Sequence, residues 1–378
     1  MKHAIAITCL LAASRWANAA EVKTVVAEQK GPTIQVAILL DTSGSMSGLI
    51  GQAKAQLWKV VNEFALAEQN GKRPDLQVAL YEYGKSSIPS STGYIRMIVP
   101  LSTDLDKVSE QLFALRTNGG NEYCGKVIKA ASESLSWSKD PKDYKVIFIA
   151  GNEPFTQGDV HYKDACKIAI TKGILVNTIF CGPLAEGIST HWQDGALLAD
   201  GSYMNIDQNK QVVAISAPQD KEIGMLGLEL NKTYIPFGAQ GVANKKRQVA
   251  QEANARSVGQ GSFVQRQLCK ASGYYRNASW DLVDACKDGK VDLTKIKKEH
   301  LPAELQKLSK EELGTYVKEK QASRAKIQKQ INDLNTARRT HIAKERTALA
   351  AKKGEDTLDA VMIKIVREQA GKKAYTFK

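Results

Sequence analysis

The segment from Thr33 to Leu40, T-I-Q-V-A-I-L-L, is a nearly unbroken run of apolar and branched residues that stops at Asp41. A strand of this composition has to be covered on both faces. The residues that follow, Asp41-Thr-Ser-Gly-Ser-Met46, are turn and cap types. Ile50, Ala53, Leu57, Val60, Val61 and Phe64 then recur at helical spacing. A buried strand that feeds an amphipathic helix through a polar turn commits the chain to layered α/β packing.

The alternation continues downstream. Strands are expected at Leu76–Tyr83, within Gly93–Pro100, at Tyr144–Ala150, at Ile174–Phe180 and at Gly201–Ile206. Helices are expected at Leu105–Leu115 (capped by Thr103 or Asp104), Tyr123–Trp137, Tyr162–Lys172 and His191–Ala199. The predicted fold is α/β, a doubly wound and mainly parallel sheet with helices on both faces. Ligands of such sheets bind outside the carboxyl ends of the strands. Three polar loops fall there, at 41–46, 117–122 and 151–154.

Beyond the sheet, residues 211–286 read as a connector or accessory segment with a helix near Lys245–Val258. Residues 287–378 read as a basic helical tail. That tail carries 23 Lys and Arg against 13 Asp and Glu, so most of the chain's net charge of +13 belongs to it. From Leu308 to Ala351 there is no Pro, and Ile327, Ile331, Leu334, Ile342 and Leu349 form a narrow stripe. The pattern predicts a long exposed helix or a helical hairpin, with a seam that fits a weak coiled coil interrupted at Lys320, Arg324 and Arg338.

At the other end, Lys2 and His3 precede a short apolar run, Ala4 to Ala13, and Ala17-Asn-Ala19 offers a small-x-small cleavage pattern. Residues 1–19 are therefore expected to be an export signal. The expected location is the periplasm, with secretion as the alternative. In an oxidising compartment disulfides are expected among Cys124, Cys166, Cys181, Cys269 and Cys286. Cys269 with Cys286 is the first choice on proximity in the chain, and a second pair would come from the other three.

Asp41-x-Ser43-x-Ser45 places one carboxylate and two hydroxyls on a tight turn, oxygen types that suit a hard cation such as Mg²⁺. A short loop supplies only part of a six-oxygen shell, so neighbouring loops must complete it. The competing reading is that Asp41 caps the following helix and the serines satisfy its first amides.

On V-A-I-L-L-D-T-S-G-S-M, on G-G-N-E-Y-C-G and on K-V-I-F-I-A-G-N-E-P, residues 32–210 resemble a von Willebrand factor type A domain. The resemblance implies a metal-ion-dependent adhesion site, with Asp41, Ser43 and Ser45 as ligands of Mg²⁺ (or Mn²⁺ or Ca²⁺). Where the family has Thr in the second loop, Asn121 stands here, with Thr117 a weaker substitute. Where the third loop normally has Asp, Gly151 stands. Glu122 and Glu153 are candidate compensating carboxylates. The partner implied is a protein that offers an acidic side chain.

Catalysis is not expected. Cys124, Cys166 and Cys181 with His161 or His191 lack a nucleophile motif, and no general base near Asp41 sits in a recognisable pattern. No phosphate-binding or dinucleotide fingerprint is present. The basic residues of the tail read first as a solvated helix face; without interleaved aromatics nucleic acid is a poor partner, and the alternative partner for the tail is anionic lipid or envelope polymer. The alternative to metal-dependent binding is an envelope scaffold whose metal site is degenerate and whose tail carries the interaction.

Overall fold

The computed structural model describes residues 31–209, 214–350 and 358–377. The expected signal segment, 1–19, lies outside the described residues. The first half runs β1 (Thr33–Asp41), α1 (Ser47–Phe64), β2 (Ala67–Gln69), β3 (Asp75–Tyr83), β4 (Ile95–Ser102), α2 (Leu105–Ala114), α3 (Cys124–Ser134), β5 (Tyr144–Gly151), α4 (Tyr162–Thr171), β6 (Leu175–Phe180), α5 (Leu184–Ser189), α6 (Trp192–Leu197) and β7 (Tyr203–Asn205). The second half is helical: α7 (Asp220–Asn231), α8 (Gly241–Val258), α9 (Gln260–Ala271), α10 (Leu282–Lys287), α11 (Lys310–Ala350) and α12 (Leu358–Gly371), followed by β8 (Tyr375–Phe377).

Six strands form one sheet in the order β4-β3-β1-β5-β6-β7. All pairs are parallel except β3 with β4, which is antiparallel and closes one edge. Side chains alternate between the two faces of a strand. Val36 and Leu40 of β1 and Val146 and Phe148 of β5 enter one core with α1 and α2. Ala37, Leu39, Ile147 and Ile149 enter the other with α3 and α4. Alternation within an all-apolar run is what a strand covered on both sides requires. Asp104 caps α2, its carboxylate accepting from the Lys107 amide at 2.9 Å.

The described part of the segment expected to be a connector is helical, carrying α7, α8, α9 and most of α10. Helices α7 and α8 each pack on α9, and α9 and α8 pack on α1. A buried ionic cluster fastens them. The Arg266 guanidinium of α9 is fully buried. It reaches Asp106 of α2 at 2.8 Å and Glu252 of α8 at 3.1 Å, and lies 4.7 Å over the Trp58 ring of α1. Lys270 is equally buried and meets Glu252 at 2.7 Å.

The tail also packs on the rest of the chain. Helix α11 is one long helix rather than a hairpin, and it lies against α7, α9 and α10. Leu313, Val317, Arg324, Ile331 and Arg338 are the buried positions among its described side chains. These positions keep a spacing near 3.5 residues, so the seam is real but its partners are helices of the same chain. Arg324 does not interrupt it. Its guanidinium meets Asp281 and Asp284, each at 2.6 Å, and stacks 4.0 Å from the Tyr234 ring. Arg338 meets Asp220 at 2.6 Å.

Helix α12 covers the sheet itself. Met362, Ile365, Val366 and Ala370 join the core that contains β1, β5 and α1. Gln369 and Asn177 of β6 form a reciprocal amide pair at 2.7 and 3.0 Å, and Gln369 also accepts from the Tyr144 hydroxyl at 2.8 Å. β8 then pairs antiparallel with β2, Ala67 facing Phe377. Residues 31–378 accordingly cluster as one unit.

The expected disulfides are not formed. Cys124, Cys166, Cys181, Cys269 and Cys286 are all free thiols. Cys269 is buried in the main core, whereas Cys286 lies against a separate small cluster around Leu282 and Leu301. Closeness in sequence therefore does not bring the two sulfurs together. Cys124 and Cys166 belong to the core on one face of the sheet and Cys181 to the core on the other.

Candidate metal site

β1 ends at Asp41, flanked in register by Tyr83 at the end of β3. On the other side Leu40 pairs with Ala150, the residue before Gly151 at the end of β5. The parallel strands thus bring the first and third loops to one rim of the sheet. The second loop is tied in by backbone bonds. The Asn118 amide donates to the Thr42 carbonyl at 3.0 Å, and the Ser86 amide donates to the Gly119 carbonyl at 2.5 Å.

Asp41 is fully buried. Its Oδ1 accepts from the Ser43 amide at 2.7 Å, the local turn that a capping residue would make. Its Oδ2 is buried with no hydrogen-bond partner among the described residues. Capping therefore accounts for one oxygen and leaves the other bare, and a bare buried carboxylate oxygen is costly. The Ser43 and Ser45 hydroxyl oxygens are 3.3 Å apart. Ser43 is buried and Ser45 is exposed, so the pair runs from the floor of the site to its mouth.

In the second loop the inward residue is Glu122, 6% exposed, while Asn121 beside it is exposed. The Glu122 amide donates to Gln157 Oε1 at 2.5 Å, which anchors the turn. Burial pushes the Asp41 carboxyl up to about 7, and the charges of Glu122 and Glu153 add to the rise. Burial also pushes Glu122 up to about 7, with the Glu153 charge again adding. Glu153 is half-buried and its carbonyl accepts from the Trp192 indole at 2.8 Å.

Glycine shapes two walls. Gly84 follows β3 with φ +79°, and a Cβ there would lie 2.7 Å from Asp41 Oδ1 and 2.8 Å from Glu122 Cγ. Asp41 and Glu122 thus converge on the space beside Gly84. A Cβ on Gly151 would lie 2.5 Å from the Tyr83 hydroxyl and 3.1 Å from Asp41 Oδ2. Tyr83 and Gly84 were not singled out from sequence. The available signal was the Tyr-Gly pair that ends a buried strand next to β1.

The donor set fits a hard cation: two hydroxyls, one bare carboxylate oxygen and a second carboxylate within reach. Among the described residues no three His, Cys, Asp or Glu side chains gather as a metal cluster, so the site depends on its serines.

Residues 35–186 match the sequence profile of the von Willebrand factor type A domain. The chain contains a von Willebrand factor type A domain. Among solved structures the chain is similar to BatB from Bacteroides thetaiotaomicron, described as a conserved hypothetical protein, at 17% identity and a TM-score of 0.36 over 46% of this chain and 90% of that one. It is similar to the SpRpn10 von Willebrand factor type A domain at 17% identity and a TM-score of 0.34, over 48% of this chain and 100% of the other. It is also similar to the pilus adhesin SpaC from Lactobacillus rhamnosus GG at 15% identity and a TM-score of 0.35, over 47% of this chain and only 28% of SpaC. No curated protein sequence matches the chain.

The cysteines weighed as nucleophiles sit badly for that role. Burial pushes the Cys124 and Cys181 thiols far up and Cys166 up to about 12, so they stay protonated at neutral pH. His161 and His191 are exposed and stack near Tyr162, with ring centroids 4.8 and 5.8 Å away.

Proposed function

We propose that this von Willebrand factor type A domain is a protein-binding module that works through a divalent cation. The observation that carries the proposal is Asp41 Oδ2, a fully buried carboxylate oxygen with no partner among the described residues, set beside paired serine hydroxyls. Asp41, Ser43 and Ser45 would hold the ion, Mg²⁺ or a similar dication, and Glu122 would supply the second negative charge. Asn121, at the exposed edge, offers a carbonyl oxygen as a further ligand. A bound dication would supply positive charge at the rim, where it would draw a carboxylate from a protein partner.

No helix among the described residues is long and apolar enough to cross a membrane. The leader-like pattern of residues 1–19 supports an exported protein, with the periplasm as its location. The basic tail supports an anionic-polymer or lipid reading less well. Arg324, Arg338 and Arg367 are engaged with Asp281 and Asp284, with Asp220 and with Glu63.

The test is calorimetry with Mg²⁺ and Mn²⁺ on the wild type and Asp41→Ala, followed by partner capture with and without chelator. Saturable wild-type binding that Asp41→Ala abolishes supports the reading. Absence of binding by the wild type, or capture indifferent to chelator, overturns it in favour of a scaffold with an empty site.

A further inference from the structure

We propose that the Tyr83 hydroxyl occupies the seat of the third-loop aspartate that Gly151 lacks, and serves there as a neutral oxygen acceptor for the cation's water shell. This inference rests on the metal-site reading above and specifies how that site is built in this chain.

Three observations carry it. First, the space beside Gly151 is filled. Tyr83 is fully buried, and the first side-chain atom of any residue at 151 would meet Tyr83 Oη at 2.5 Å. The same atom would lie 3.1 Å from Asp41 Oδ2, so the Tyr83 hydroxyl and the bare carboxylate oxygen border one small space.

Second, the proton of that hydroxyl is committed. Tyr83 Oη donates to the Ala150 carbonyl at 2.9 Å. A phenol has a single proton, so the oxygen faces its remaining neighbours as an acceptor. The Cys124 thiol, 3.8 Å away, approaches it as a weak donor. An acceptor without charge gives a metal-bound water the hydrogen bond a carboxylate would give, and withholds the negative charge. Third, the missing charge reappears in the second loop, where Glu122 is buried and adjoins Asp41 across Gly84.

The pair at 83 and 151 is therefore coupled. Aspartate at 151 requires that the Tyr83 hydroxyl be absent, and the Tyr83 hydroxyl requires glycine at 151. Glu122, which adjoins Asp41 across Gly84, is then the nearest replacement for the missing charge, and its removal should weaken the site sharply.

The experiment measures Mn²⁺ binding by calorimetry and the number of metal-bound waters by proton relaxation, on the full chain. The variants are Tyr83→Phe, Glu122→Gln, Gly151→Asp and Tyr83→Phe/Gly151→Asp. Tyr83→Phe keeps the buried ring and is expected to weaken Mn²⁺ binding roughly tenfold, with a changed relaxation signal. Glu122→Gln is expected to weaken it at least as much. Gly151→Asp alone is expected to bind no tighter than wild type or to fail to fold. The double variant is expected to fold and to bind at least roughly tenfold tighter than Tyr83→Phe, a non-additive pair.

Gly151→Asp that folds and tightens binding with Tyr83 in place would overturn the inference. So would Tyr83→Phe with unchanged affinity and unchanged relaxation. Absence of Mn²⁺ binding by the wild type removes the metal reading itself, whereas a wild type that binds while the variants miss this pattern removes only the exchange at 83 and 151.

Discussion

Replacing Arg266 with Met tests what joins the helices after the sheet to the domain that contains the metal site. The guanidinium is fully buried and makes three directed contacts: Asp106 at 2.8 Å, Glu252 at 3.1 Å and the Gln248 carbonyl at 3.1 Å. Methionine would fill much of the volume, so the loss is chiefly electrostatic. Glu252 keeps Lys270 at 2.7 Å and is not stranded. Among the described residues Asp106 keeps only the Tyr275 hydroxyl, at 2.5 Å, and becomes a buried carboxylate without a cation there. Breaking a buried pair from one side typically destabilises by about 3–5 kcal/mol, because the abandoned charge stays in the interior. The surviving phenol bond places the expectation at the lower end, about 3 kcal/mol. Urea denaturation of the wild type, Arg266→Met and Arg266→Met/Asp106→Leu would measure it. The double variant removes both charges and should regain more than half of the loss. A single variant that loses under about 1 kcal/mol would refute the reasoning, as would a double variant that loses the sum of both changes.

Three further outcomes are expected. Burial works to raise the Glu252 carboxyl, but Lys270 and Arg266 hold it down at about 2, below its ordinary 4.5; its share of stability is complete above about 4.5 and is lost as the pH falls toward about 2, which a melting series over that range would show as a declining midpoint. Gln369→Leu removes both halves of the amide exchange with Asn177 and the acceptor of the Tyr144 hydroxyl, so a denaturant midpoint should report a loss of about 1–3 kcal/mol. Residues 32–210 expressed alone lack Met362, Ile365 and Val366, which cover the sheet, and should bind a dye for exposed apolar surface that the full chain does not bind.

Much of the sheet was legible because its strands are pure signals. Val146–Ala150 and Val36–Leu40 are unbroken apolar runs, and polar loops with cap residues separate their strands from helices of clear period. The first loop of the site was legible for the same reason, since position after a buried strand fixes where its oxygens emerge. The inward turn of Glu122 in place of Asn121 was not, because one residue of register in an irregular loop decides it and no periodicity applies there. Tyr83 was invisible for another reason. An aromatic at the end of a buried strand reads as core, and only three-dimensional placement shows its hydroxyl against Gly151. The tail was misread as free because charge was taken as exposure. Arg324 and Arg338 carry the same letters as solvated residues, yet their partners lie far away in sequence, at Asp281, Asp284 and Asp220.

The strand pairing of Tyr375–Phe377 with Ala67–Gln69 has a consequence for the order of assembly. The sheet's covering helix and this closing strand are made more than 150 residues after the last strand of the main sheet. A chain that emerges from a ribosome or a narrow channel N-terminus first therefore exposes an uncapped apolar face throughout that interval. Its native state becomes reachable only when the far end arrives, so the nascent polypeptide stays open and threadable until its synthesis or passage is nearly complete.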